Sequence, residues 1–168
     1  MPFPAWALPL AFWLHMLATV IWVGGLAALA LIVLPTLRRS LKPRVFANWL
    51  TTLNKRLDPI GWFSLGLLTF TGLVQMEANP SYVGLLAVSN AWSQAILFKH
   101  IVFVGMIAVS AYVTWKVAPE VQRSALKQAR GIRDGSEQYW QARLQQFIGL
   151  NLFLALLVLV FTAIARTS

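Results

Sequence analysis

Two histidines stand inside apolar stretches of the sequence. His15 opens the run His15–Pro35, HMLATVIWVGGLAALALIVLP, which carries no Asp, Glu, Lys or Arg, and His100 is the only other histidine of the chain. An ionisable side chain within a membrane-spanning segment is costly and marks a functional site by default. Neutral imidazole is also a common metal ligand. The two histidines are therefore the first candidates for metal or cofactor ligands.

The composition indicates where these histidines lie. Of the 168 residues, 58% are hydrophobic and 11% are charged, whereas a soluble domain carries about 25% charged residues. Four apolar runs, at 10–35, 59–78, 92–118 and 146–165, are each near or above the ~20 residues that a spanning helix needs. We predict an all-α integral membrane protein, an up-down four-helix bundle that forms a single transmembrane domain over residues 1–168. Prolines at 35 and 119 are expected to end or kink helices, and Asp58-Pro59 to begin the second span.

The net charge of +9 is concentrated in two connections between the apolar runs. All but two of the 14 Lys and Arg residues lie there: Arg38, Arg39, Lys42, Arg44, Lys55 and Arg56 in the first connection, and Lys116, Arg123, Lys127, Arg130, Arg133 and Arg143 in the third. By the positive-inside rule both connections are cytoplasmic, so we expect both termini on the outer, periplasmic side of the plasma (inner) membrane. The basic charge then indicates topology and contact with the lipid bilayer, with no nucleic acid as partner.

The two histidines are expected at similar depth. Each lies a few residues into a span that enters from the outer side, and helices rise ~1.5 Å per residue. In an up-down bundle the first and third helices are diagonal, so His15 and His100 can approach one ligand from opposite sides. Haem b is the first candidate, because its iron accepts two imidazoles and Trp22 and Phe103 follow on the same helices. A backbone carbonyl one turn upstream, or a hydroxyl such as that of Thr19, is expected to orient each ring.

Copper and a proton or substrate path are the other candidates. Reduced copper suits imidazole and thioether ligands, and Met16, Met76 and Met106 lie in the predicted spans. The chain has no cysteine, which excludes disulfides, thiolate metal sites and iron–sulfur clusters. Lys99 lies within the third span, where it can pair with Glu77 or extend its ammonium outward to the lipid headgroups.

At these residues the sequence resembles a known family. His15 followed by WVGG at Trp22–Gly25, FKH at Phe98–His100, Ala118-Pro119 and the closing helix LNLFLALLVLVFTAIAR are similar to the helices of the copper resistance protein D (CopD) family. The resemblance implies a core four-helix membrane unit and copper handling. A more distant similarity to the HemJ-type protoporphyrinogen oxidases rests on His15 and Lys99, and it implies that Lys99 rather than His100 is the critical residue of the third helix.

From the residues and the resemblance together we predict a CopD-like membrane protein that binds one haem b through His15 and His100 and transfers electrons. Trp22, Lys99 and Phe103 are expected beside the cofactor, and a redox partner or a larger membrane complex is expected to associate. The alternatives are a copper-handling permease that uses His15 and His100 as metal ligands, a non-catalytic subunit of a larger respiratory or photosynthetic complex, and a HemJ-like oxidase.

The charge distribution makes a prediction about topology. A reporter enzyme that is active only in the cytoplasm, fused after Ser168, should stay silent, because the C-terminus is expected on the outer side. The same reporter inserted near Arg130 should be active. Strong activity from the C-terminal fusion would contradict the predicted orientation.

Overall fold

The structure, a computed structural model, describes residues 4–84, 86, 88–132 and 134–167. Arg133 and the ends of the predicted 1–168 domain lie outside the described residues, and only the backbone of Pro43, Arg44, Ala47 and Ala129 is described. The helices are α1 (Ala7–Ala28), α2 (Leu34–Ser40), α3 (Pro43–Glu77), α4 (Ala91–Tyr112), α5 (Ala118–Ala129) and α6 (Ser136–Thr167). A π-helical turn, Leu29–Val33, joins α1 to α2, and another, Val113–Val117, joins α4 to α5.

Four helical stretches are long and apolar enough to cross a membrane. They are the first span (Ala7–Ser40), the second (Asn48–Glu77), the third (Ala91–Gln128) and the fourth (Ser136–Thr167). The described part of the chain contains no strand. The predicted all-α, four-helix membrane architecture is confirmed.

The spans pack as two helical hairpins. The first span packs along the second, and the third along the fourth, while the first and third spans lie diagonally with little contact. The start of α1 and the end of α6 lie at one end of the bundle, where the Arg166 guanidinium lies 4.9 Å from the ring centre of Phe12. We call this end the termini end, and the opposite one, which holds the connections at 41–42 and 130–135, the basic end. The two hairpins are joined tightly at the basic end, where α3 packs against α5.

Two hydrophobic clusters hold the hairpins together. The larger cluster fills the basic end with Leu34, Phe46, Leu50, Val117, Val121, Leu144 and Ile148. The smaller, which we call the middle cluster, consists of Leu26, Leu65, Met106 and Ala155. Beside it, Asn151 of α6 donates to the Ser110 hydroxyl of α4 over 2.7 Å. A side-chain hydrogen bond between buried helices adds to van der Waals packing in lipid, where water does not drive helices together.

Two prolines that were expected to end or kink helices lie within continuous spans. Pro35 and Pro119 do not end their spans, since each follows a π-helical turn by two residues and the helix continues. Proline lacks an N–H and its ring crowds the carbonyl four residues earlier. At each site the residue just before the proline donates its N–H five residues back, Leu34 to Leu29 and Ala118 to Val113, so the hydrogen-bond pattern shifts at the proline.

The helices are longer than the apolar runs of the sequence. The expectation that the second span begins at Asp58-Pro59 was wrong, because Pro59 lies inside the continuous helix α3. The missing Pro59 donor costs a single backbone hydrogen bond, and the helical turns on both sides retain theirs. The first, third and fourth spans also extend past the predicted apolar runs. Their ends carry polar residues that are compatible with helix but lower the local hydrophobicity of the sequence.

Close packing between the first two spans depends on Gly61. A Cβ built there would lie 2.6 Å from Cζ3 of Trp22, whereas one built at Gly66 of the same helix would meet nothing within 4 Å. We expect Gly61→Ala to destabilise the protein by about 1–3 kcal/mol, the usual cost of overpacking. Gly66→Ala should be neutral or slightly stabilising, because alanine favours helix. Thermal unfolding in detergent compares the two variants, and equal midpoints would contradict the contact.

Candidate functional site

A cavity opens between the four spans in the half of the bundle nearest the termini end. Its volume is about 440 Å³, within the usual range of ligand pockets. All five predicted site residues line it: His15, Trp22, Lys99, His100 and Phe103. The diagonal spans thus bring both histidines to one cavity, while their role as ligands stays a prediction.

A threonine of the neighbouring helix fixes the tautomer of His15. The Nδ1 atom of His15 lies 2.8 Å from the Thr71 hydroxyl oxygen, and this hydroxyl lies 2.6 Å from the Leu67 carbonyl oxygen. A threonine hydroxyl has a single proton, and Thr71 donates it to Leu67. With the Thr71 proton directed to Leu67, we assign the His15 ring proton to Nδ1, which then donates to Thr71. The Nε2 lone pair of His15 is left free to bind a metal.

His100 adopts the same tautomer for a different reason. Its Nδ1 atom lies 2.7 Å from the backbone carbonyl oxygen of Ile96, one turn upstream on α4. A carbonyl oxygen only accepts, so Nδ1 of His100 carries the proton and Nε2 is free. The expected upstream carbonyl is thus present for His100. Thr19 does not orient His15, because its hydroxyl donates to the His15 backbone carbonyl over 2.8 Å.

Sequence reasoning missed the residues of α3 that support His15. Gly72 faces the imidazole so closely that a Cβ there would lie 3.5 Å from Cε1 of His15. Gln75 donates to the backbone carbonyl of Ala11 over 3.2 Å and ties α3 to α1 one turn from His15. Small residues surround Thr71 and Gly72 in the sequence and indicate that another helix approaches closely there. They do not indicate that His15 is the residue in contact.

Soft donor atoms accompany the imidazoles. Met16, Met76 and Met106 all line the cavity, with Met76 and Met106 buried and Met16 exposed. Among the described residues no group of three or more His, Asp or Glu comes together that could hold a metal ion. Imidazole nitrogen and thioether sulfur therefore face this cavity together with neutral hydroxyl and amide groups, and no carboxylate of the described residues does so.

Of the two alternatives for Lys99, the pair with Glu77 does not form. No carboxylate of the described residues lies within 4 Å of the Lys99 ammonium. The ion pairs of the described residues lie elsewhere and are Lys116–Glu120, Arg123–Glu120 and Lys127–Asp134. Glu77 is exposed, and no acidic residue lines the described cavity. Arg166 lines it instead and adds a second positive charge. The cavity therefore combines apolar walls with two cations.

Fold and cavity define a multi-pass helical membrane protein with a ligand-sized cleft that presents two imidazoles. A family model described as copper resistance protein D matches residues 51–165. The match covers more than half of the chain, and the protein belongs to the copper resistance protein D family. The more distant similarity to HemJ-type oxidases is not shown by the comparisons. No curated protein and no solved structure gave a significant match.

The tautomers make a prediction that needs no metal. In protein labelled with ¹⁵N at histidine, both rings should give the spectrum of imidazole protonated at Nδ1. Thr71→Val removes the acceptor and leaves a donor unpaired, a cost of about 1–3 kcal/mol, so the His15 signals should shift while those of His100 stay. Thr69→Val is the matched control, because the Thr69 hydroxyl donates only to Leu65 of its own helix. A His15 ring protonated at Nε2 would contradict the assignment.

Proposed function

We propose that the protein handles copper in the membrane and binds Cu(I) as its cargo through Nε2 of His15 and Nε2 of His100. One observation carries this proposal: the Nδ1 atom of each ring lies within hydrogen-bond distance of an oxygen of the protein, 2.8 Å for His15 and 2.7 Å for His100, and both rings line one cavity. A histidine that binds a metal characteristically donates its other nitrogen to such an acceptor, which fixes the ring and raises its basicity. The family to which the chain belongs, copper resistance protein D, supports copper as the metal.

The donor set favours reduced copper over harder cations. Thioether and imidazole select Cu(I), whereas Mg²⁺, Ca²⁺ and Mn²⁺ prefer oxygen ligands. Three methionines line the cavity, and no carboxylate does so within the described residues. Met76 and Met106 are the better thioether candidates, because their buried side chains are shielded from lipid. A site of two imidazoles and one thioether follows from these donors.

The shape of the cavity suits a permease. The cavity lies toward the termini end, and the middle cluster of Leu26, Leu65, Met106 and Ala155 lies between it and the basic end. A carrier that works by alternating access needs a site open to one side of the membrane and closed to the other. With the orientation predicted from the basic connections, copper would enter from the outer side.

Haem b with electron transfer is the second candidate. Two free Nε2 atoms on diagonal helices suit the axial positions of iron, and Trp22 and Phe103 supply aromatic wall. The indole N–H of Trp22 is buried and has no acceptor among the described residues, so it can donate to a polar group of a bound ligand. His15 and His100 would hold the haem, whose iron would supply one-electron chemistry, and a redox partner in the membrane would be required.

A Cu(I) titration tests the main proposal. Purified protein is titrated under reducing, oxygen-free conditions against a chromophoric Cu(I) chelator. Thr71→Val should weaken binding by about 10- to 100-fold, as losing a ligand-orienting partner does, and His15→Ala or His100→Ala should weaken it further. Met76→Leu and Met106→Leu conserve side-chain volume but remove the thioether sulfur. The methionine whose replacement weakens Cu(I) binding is the sulfur ligand.

The controls separate copper from haem. Thr69→Val should bind Cu(I) as the wild type does, since its hydroxyl does not touch either histidine. Unchanged affinity in both histidine variants would contradict the copper site. Protein made with ample haem should be colourless if copper is the ligand, whereas a red protein that loses its colour in His15→Ala and His100→Ala would favour haem.

A further inference from the structure

Lys99 places a positive charge within a span, and the described residues offer it no countercharge. The residue lies on α4 directly before His100 and lines the cavity, and no carboxylate of the described residues pairs with its ammonium. Charged residues within spans otherwise pair with one another or with backbone carbonyls because isolation in lipid is costly. The cavity therefore lacks a partner for this cation.

A second cation makes the imbalance larger. Arg166, in the last turn of α6, lines the same cavity, and its charge repels that of Lys99. The Arg166 guanidinium lies 4.9 Å from the ring centre of Phe12 on α1, a cation–π contact that directs it across the bundle. Two like charges from different helices thus meet at one end of an otherwise mainly apolar cavity.

The rest of the cavity fits hydrocarbon. Its walls include Val20, Leu73 and Leu159, which also face outward with exposed fractions of 69%, 44% and 38%. In a bilayer such side chains contact lipid chains, so the cavity is continuous with the surface that faces lipid. A molecule with an apolar body can therefore enter from the side, while its polar head meets the two cations.

We propose that this cavity binds one anionic phospholipid, with its phosphate between Lys99 and Arg166 and its acyl chains against the apolar wall. Arginine and lysine both bind phosphate, arginine through two parallel hydrogen bonds and lysine as a point charge. The proposal does not depend on copper binding. A bound lipid would nevertheless affect copper binding. Its phosphate would offset the Lys99 charge that acts on His15 and so favour a cationic metal nearby.

Native mass spectrometry of the full chain tests the lipid. Protein is reconstituted in nanodiscs with equal amounts of phosphatidylglycerol and phosphatidylcholine of matched chains, and the retained lipid is identified after release. The wild type should retain one phosphatidylglycerol. The double variant Lys99→Gln/Arg166→Gln should lose the preference by at least about tenfold, since hydrogen bonds between charged groups are stronger than neutral ones.

A matched variant controls for net charge. Lys55→Gln/Arg56→Gln also removes two positive charges, but both residues lie in α3 away from the cavity, so it should retain phosphatidylglycerol as the wild type does. If the Lys99→Gln/Arg166→Gln protein does not fold, Arg166→Gln alone serves, because Arg166 is exposed; a smaller but measurable loss is expected. An unchanged preference in the cavity variants would overturn the proposal, as would displacement of the lipid by millimolar inorganic phosphate, which would indicate a site for free anions.

Discussion

Polar groups inside a bilayer must find their hydrogen-bond partners within the protein, and this constraint determines the geometry of the site. Hydroxyls in the second span return to carbonyls of their own helix, as Ser64 does to Ile60 and Thr69 to Leu65. His100 follows the same rule with Ile96. His15 is different, because it uses a hydroxyl of the neighbouring helix, that of Thr71. In both rings the satisfied nitrogen is Nδ1, and so the nitrogen left for a ligand is Nε2.

The two spans that carry the histidines share a layout. Each has its histidine in the half near the termini end, then a π-helical turn, then a proline two residues beyond that turn. Turns of this kind inside α-helices frequently occur at functional sites. Because the first and third spans lie diagonally, each contributes one imidazole to the cavity, and each has an interrupted hydrogen-bond ladder toward the basic end. The second and fourth spans supply supporting side chains such as Thr71 and Arg166.

The sequence predicted the architecture well because the bilayer imposes a simple length and composition on each span. The grouping of His15 with His100 was accessible for the same reason, since depth follows from position along a span. The partners of polar side chains were less accessible. Thr71 is 56 residues from His15, and only packing between helices brings them together. Of the two alternatives for Lys99, the pair with Glu77 does not form among the described residues, because closeness in depth does not bring side chains onto facing sides of two helices.

The central claim is that the free Nε2 atoms of His15 and His100 bind Cu(I). X-ray absorption at the copper edge of Cu(I)-loaded protein tests it most directly, because imidazole rings produce characteristic outer-shell scattering. The account predicts two imidazoles and sulfur around copper in the wild type, and a single imidazole in His15→Ala or His100→Ala. Copper without imidazole scattering in the wild type, or the same spectrum after both histidines are replaced, would contradict it.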